Sequence, residues 1–291
     1  MDRISFEVPE ASLFCLLGPN GAGKTTTVAV LATTLQPTSG TLLVAGHDLR
    51  TEQGAVRASL GVVAQEPSLD LNLTAEENVR LHAVLYGLCP WRPLHRWMPA
   101  GYRAEVEELA GVLGVADLLG RRVRELSGGT RRRLEILRAL MHRPRVLILD
   151  EPTAGLDPQA RRDLWRHLEG ARRRLGTTIL LTTHYLQEAE PADRVCVLSR
   201  GRVLADAPPA ELKGREAELW VDAEDRPVLL QALARLGCAA EGGGPFVVRV
   251  DERRAQEVIR RLHVELTQLR VTEPSLEEAY LQLLQRGEEL C

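Results

Sequence analysis

Residues 12–27, SLFCLLGPNGAGKTTT, restrict the folds open to this chain more than any other stretch. An apolar run of strand length stops at Gly18 and a helix-forming run opens at Lys24, so a buried strand must turn into a helix within a few residues. Gly18, Pro19, Asn20, Gly21, Ala22 and Gly23 fill that turn, and with Lys24 and Thr25 they match G-x-x-x-x-G-K-[ST]. The physical reason is phosphate chemistry. Successive backbone N–H groups curl around a polyphosphate only where Cβ atoms leave room, and the following helix points its positive end at the same anion. Lys24 then neutralises the β- and γ-phosphates, the Thr25 hydroxyl ligates Mg²⁺, and Thr26 borders the same site. The loop holds a nucleotide.

A second element must hold the metal and activate water. VLILDE, residues 146–151, supplies a buried strand with Asp150 at its carboxyl end, where open α/β sheets bind ligands. Glu151 follows directly, so Asp150 suits the magnesium shell and Glu151 suits polarising a water in line with the γ-phosphate. A third element is LSGGT, residues 126–130, ahead of the helical run RRRLEILRAL. Ser127, Gly128 and Gly129 before a helix N-terminus make another anion site, too similar to the first to serve the same phosphates. Two such surfaces on one chain invite head-to-tail pairing, each subunit's turn closing on its partner's nucleotide.

The rest of the pattern is α/β. Strands are expected at 4–8 (ISFEV), 12–17, within GTLLVAGHDL with a turn at Ala45-Gly46, in LGVVAQ, RVLILDEP and TTILLTTH, and in a hairpin turning at Arg200-Gly201. The helix opening at Lys24 should run to QPTSG. From about Thr74 to Leu140 the period is helical, with Thr74 and Glu77 set for a capping box. Strands alternating with helices imply a mostly parallel sheet. DAPPAELKG, residues 206–214, joins proline, glycine and charge as linkers do. We expect an ATPase domain over 1–206, its helical subdomain spanning about 70–143, and a compact α+β accessory or regulatory domain over 207–291, with split βαβ topology.

Composition excludes several classes. The 291 residues carry a net charge of −3, which gives no overall positive field for nucleic acid. The longest near-apolar stretch is far too short to cross a bilayer and the N-terminus lacks a signal-peptide pattern, so the chain is expected in the cytoplasm. Of 37 basic residues 35 are arginine, and runs such as RRVR, TRRRLE and ARRRLG read as solvated helix faces. Cys15, Cys89, Cys196, Cys238 and Cys291 are scattered without a Cys-x-x-Cys pair, and read as buried or incidental thiols.

With these motifs in this order, residues 4–206 resemble an ABC-type ATPase, the nucleotide-binding half of a membrane transporter. The resemblance implies ATP and Mg²⁺ as ligands. Gln65 in VVAQE matches the glutamine that joins magnesium and attacking water to the transmembrane partner. Asp157 in AGLD matches the loop that crosses the dimer interface, and His184 in LLTTH the histidine that holds the γ-phosphate. Thr130 stands where the family commonly has glutamine, a mild departure. LLGPNGAGKTTT, PTSGTLLVAGHDL and the EPSLEEAYLQL tail are similar to the ATPase subunits of bacterial two-component exporters, the daunorubicin-resistance type among them. That implies an ATPase homodimer at the cytoplasmic face of the membrane, driving export of a drug, lipid or related compound through a separate integral membrane permease.

Two departures stand out. The family starts some fifteen to twenty residues earlier, with an aromatic that stacks on adenine; here Phe6 is the only nearby aromatic. A start upstream is the favoured explanation, with ATP affinity and preference over GTP blunted in this chain. Residues 88–106, LCPWRPLHRWMPAGYRAEV, make a longer helical-subdomain link than usual, and its Trp91, Trp97 and Tyr102 either meet the permease or pack internally. Of the competing classes, a GTPase needs an Asn-Lys-x-Asp motif, and neither Lys24 nor Lys213 follows an asparagine. A small-molecule kinase has no use for LSGGT. A soluble ABC ATPase acting on DNA or ribosomes needs a coiled-coil insertion, zinc cysteines or tandem cassettes; a regulatory subunit that binds ATP without cleaving it is the harder alternative to exclude, although Glu151 and His184 are both intact.

Overall fold

The computed structural model describes residues 1–213, 216–272 and 275–289. Gly214, the first two residues of the EPSLEEAYLQL tail and Cys291 therefore lie outside the described residues. The chain divides into two compact units, Met1–Asp206 and Ala207–Cys291.

The first unit is organised by β1 (Leu13–Leu17), buried along its whole length. It lies between β6 (Thr178–Thr183) and β7 (Arg194–Ser199), parallel to both. β5 (Val146–Asp150) pairs parallel with β6, and β4 (Leu60–Val63) parallel with β5. β8 (Arg202–Ala207) closes the order β4-β5-β6-β1-β7-β8. The β7–β8 turn falls at Arg200-Gly201, both with positive φ, as a two-residue hairpin demands. Phe14, Leu16, Ile148, Leu180 and Leu198 form one face of the core. Each such side chain contributes about 1.5–3 kcal/mol by leaving water.

Because β1, β5 and β6 run the same way, their carboxyl ends lie side by side at one edge of the sheet, and β1 feeds α1 (Lys24–Leu31) there. This helix is shorter than the sequence implies. Thr33 turns left-handed at φ 61, the N–H groups of Thr34 and Leu35 both bond Ala29 O, and the Thr34 hydroxyl takes the same carbonyl. Side-chain competition of this kind is why threonine runs end helices. GTLLVAGHDL gives only a two-residue ribbon, β2 (Leu43–Val44) and β3 (His47–Asp48), turning at Ala45-Gly46 as expected.

Residues 4–8 are the clear miss. Ile4, Phe6 and Val8 alternate with exposed neighbours and pack on the core, yet no described strand pairs with them. Alternation records burial of one face; a ladder also needs a partner for the backbone groups.

The helical stretch follows α2 (Gln53–Ser59) and β4. It comprises α3 (Ala75–Leu85), a 3₁₀ turn at His95–Trp97, α4 (Ala100–Val112), two further 3₁₀ turns and α5 (Gly128–Leu140). The Thr74–Glu77 capping box is present in both directions. α6 (Pro158–Leu175) and the short α7 (Leu186–Ala189) flank β6 in sequence. TRRRLE is not simply a solvated face: Arg132 is buried beside Glu135. Cys15, Cys196 and Cys238 are buried free thiols, and burial pushes the Cys196 thiol up to about 12.

The second unit opens with α8 (Pro209–Lys213), then β9 (Glu216–Ala223), α9 (Arg226–Arg235), β10 (Ala240–Glu241), β11 (Phe246–Asp251), α10 (Glu252–Arg261), β12 (Leu266–Thr272) and α11 (Leu276–Glu289). The sheet order β10-β11-β9-β12, antiparallel throughout, with two crossing helices, is a split βαβ arrangement. Leu219, Val221, Val248 and Val250 form one sheet face against Leu229, Leu233 and Val258 of the helices.

Candidate functional site

The phosphate-loop geometry follows from two glycines. A Cβ at Gly18 would stand 2.4 Å from Leu198 O, so only glycine lets the chain leave β1 this close to β7. Gly23, at φ 108, caps α1 in a left-handed conformation that side chains resist. Lys24 is buried, and its Nζ donates to Gly18 O at 2.7 Å and Pro19 O at 3.1 Å, drawing the ammonium back across the loop. Asn20, Gly21, Thr25 and Thr26 are exposed at the rim, while Ala22 is buried and its carbonyl accepts from Gly201 N.

At the end of β5, Asp150 is buried and accepts a hydrogen bond from the Thr182 hydroxyl on β6. Glu151 then turns to φ 44, a left-handed conformation that costs a non-glycine residue roughly 1–3 kcal/mol. Its N–H is held by Thr182 O at 3.2 Å and Thr182 Oγ1 at 3.1 Å. The twist places the carboxylate where three other segments meet. Glu151 Oε1 lies 3.6 Å from Lys24 Nζ and 3.2 Å from His184 Nδ1, and Oε2 accepts from Gln65 Nε2 at 3.4 Å. Three sequence-predicted residues, Lys24 from the phosphate loop, Gln65 after β4 and His184 after β6, thus converge on the carboxylate of a fourth, Glu151 after β5. The His184 ring also lies against Tyr185, 4.0 Å between centroids, with the Arg161 guanidinium on that tyrosine.

Ser127, Gly128, Gly129 and Asp157 are brought together elsewhere. Ser127 caps α5, its Oγ accepting from Thr130 N at 3.3 Å and pairing with Thr130 Oγ1 at 2.9 Å. Asp157 caps α6 by accepting from Gln159 N and Ala160 N, both at 2.9 Å. A Cβ on Gly129 would meet Ala160 Cβ at 2.9 Å, so this glycine lets the two helix N-termini approach; Gly128 has looser surroundings. Ser127, Gly129, Asp157 and Ala160 share a cavity of about 210 Å³ whose lining includes none of residues 18–26.

Phe6 does not offer a free ring for a base: it stacks on Phe14 at 5.3 Å. Tyr102 is buried and donates to Glu76, which also bonds His95, whereas Trp91 and Trp97 are 59% and 55% exposed. The insertion therefore packs inward through its tyrosine and outward through its tryptophans.

Sequence reading missed Thr182, Arg132 and Glu188. Thr182 carried a signal: a threonine in a wholly buried strand must bond something. Glu188, 1% exposed and bonded by the Thr153 hydroxyl, carried none.

The sequence model of the ABC transporter family matches residues 1–154. This chain belongs to the ABC transporter family. Like other members it is an ABC ATPase. It is 37% identical over 300 residues to the daunorubicin/doxorubicin resistance ATP-binding protein DrrA of Streptomyces peucetius, covering 97% of this chain and 87% of that protein. It is also 37% identical over 235 residues to the probable multidrug ABC transporter ATP-binding protein YbhF of Escherichia coli, covering 81% of this chain but only 38% of the relative's length. Among solved structures, the ATP-binding cassette MJ0796, a dimer bound to ADP and Pi, aligns with TM-score 0.59 and 25% identity over 70% of this chain and 88% of that one. The family match ends at Ala154, so His184 lies beyond it; its 3.2 Å contact with Glu151 is what brings it to this cluster.

Proposed function

We propose that this ABC ATPase binds MgATP as a homodimer at the cytoplasmic face of the membrane and powers export of a drug, lipid or related compound through a separate integral membrane permease. The observation that carries the hydrolytic part is the convergence of Lys24, Gln65 and His184 on Glu151. In this reading Lys24 pairs with the β- and γ-phosphates, His184 contacts the γ-phosphate, and Glu151 orients and deprotonates the attacking water. The donor set of Thr25 hydroxyl, Asp150 carboxylate and Gln65 carbonyl is all oxygen, which suits Mg²⁺. Bound there, the ion would supply charge neutralisation between the phosphates. The Ser127 turn and Asp157 serve the nucleotide of the second subunit, which fits their place in a cavity apart from the phosphate loop.

The test is magnesium-dependent phosphate release from ATP by the purified chain, which should fall at least about 10²-fold in Lys24→Ala. No release by the wild-type chain contradicts the reading.

The permease surface is assigned to the helical subdomain. Leu81, Leu85, Tyr86, Leu88, Trp91, Leu94 and Trp97 are all large apolar residues left exposed within seventeen positions. Such concentration marks a docking face more than scattered surface leucines do. Trp91→Ala/Trp97→Ala should cut recovery of a polytopic membrane partner about tenfold in pull-downs from detergent-solubilised host membranes while leaving ATP turnover of the isolated chain unchanged. Equal recovery by both proteins removes the surface from the account.

A further inference from the structure

We infer that Arg132 is a positioning residue for hydrolysis, which ties the helix bearing Ser127 to the two segments that place Gln65 and Glu151. The inference deepens the ATPase reading and rests on it.

Arg132 lies one turn into α5, in the run TRRRLE, and is only 7% exposed. Its guanidinium makes four hydrogen bonds. Nε donates to Pro152 O at 3.1 Å, Nη2 to Asp150 O at 2.8 Å, and Nη1 to Ala64 O at 2.6 Å and Glu135 Oε2 at 3.0 Å. The three carbonyls are not arbitrary. Ala64 immediately precedes Gln65, and Asp150 and Pro152 flank Glu151 on either side. One side chain therefore grips the backbone next to both residues whose side chains meet at 3.4 Å.

The neighbours on the same helix face extend the hold. Glu135, 3% exposed, accepts from Ser68 N at 2.8 Å, and Arg138 donates to Ser68 O at 2.9 Å and to the Ser68 hydroxyl. The segment after Gln65 is thus fastened to α5 at two points.

A buried ion pair is weak evidence for stability, because desolvation offsets its attraction. What it does supply is direction. A guanidinium spreads five donors over three nitrogens in a rigid plane and can address three separated carbonyls in fixed directions; an ammonium carries its three donors on one rotatable nitrogen and does not fix those directions. Glu151 needs that direction, since its left-handed backbone must be held by its surroundings.

The experiment compares the wild-type chain with Arg132→Gln/Glu135→Gln, which removes both charges of the buried pair together, and with Arg132→Lys. Melting temperature, kcat and KM for MgATP are measured on each. The double variant should melt close to wild type and keep KM within about threefold, because the phosphate loop is untouched. Its kcat should fall about 10²-fold, the usual penalty when catalytic groups are misplaced by an ångström. Arg132→Lys should show a similar kcat loss. An undiminished kcat in the double variant, full activity in Arg132→Lys, or a loss that follows melting temperature and KM overturns the inference. A wild-type chain that releases no phosphate is a separate outcome: it removes the ATPase reading and this inference with it.

Discussion

The carboxylate of Glu151 and the turn at Ser127 were both read from the sequence as phosphate-site elements, yet the fold treats them differently. Around Glu151 the polar groups face one another: an ammonium, an imidazole and an amide from three segments approach a single carboxylate. Around Ser127 and Asp157 the side-chain oxygens are occupied locally, each satisfying the N–H groups of its own helix. The first region is organised to act on something placed among its own residues. The second is organised to hold two helix ends in fixed positions and present them outward. That asymmetry suits the proposed head-to-tail pair, because a surface already rigid before its partner arrives loses less entropy on binding.

The sharpest way to break this comparison is Glu151→Gln. Removing the proposed base while keeping its shape should lower ATP turnover by about 10²–10⁴-fold with nucleotide affinity retained, and the saturated protein should accumulate as a dimer in analytical ultracentrifugation. A variant that hydrolyses at the wild-type rate shows that the convergence on this carboxylate is structural.

The next test asks whether the two regions belong to different chains. Ser127→Arg should abolish turnover by blocking the donor turn, and Lys24→Ala should abolish it at the phosphate loop. Mixed in equal amounts, they form hetero-pairs in which one site has an intact loop from one chain and an intact turn from the other. About a quarter of wild-type phosphate release should return if the pairing is random and the sites act independently. Zero recovery, with mixed dimers demonstrated, means that turn and loop serve the same nucleotide.

How much of this was legible follows from what each signal depends on. The phosphate loop, the β5 strand and the Thr74 cap rest on local rules of spacing and side-chain type, and they stand where the residues placed them. The segment at 4–8 failed because a strand is a relation between two segments, and alternation reports only on one. Arg132 was misread for a similar reason. Three consecutive arginines on a helix point in three directions, about 100° apart, and nothing local says which one meets the sheet. Here Arg131 bonds the carbonyls of Val123 and Arg124, Arg133 those of Leu113 and Gly114, and only Arg132 reaches the ends of β4 and β5. Glu151's place at the carboxyl end of β5 was legible; the left-handed turn that aims its side chain was not, since glutamate rarely adopts that backbone.

The smallest expected effect concerns Asp157, whose family resemblance assigns it to the dimer interface while its geometry makes it a helix cap. Asp157→Ala should lower stability by about 1 kcal/mol through loss of the α6 cap, and Asp157→Asn, which preserves an accepting oxygen, should cost much less. If capping is its whole contribution, turnover at a temperature well below melting will be near wild type in Asn and only slightly reduced in Ala. If the charge itself is presented to the second subunit, Asn will fold normally and still weaken ATP-driven dimerisation. Measured side by side, melting temperature and dimer dissociation constant separate the two, and a loss of dimer in Asn without loss of stability would move Asp157 from the scaffold into the site.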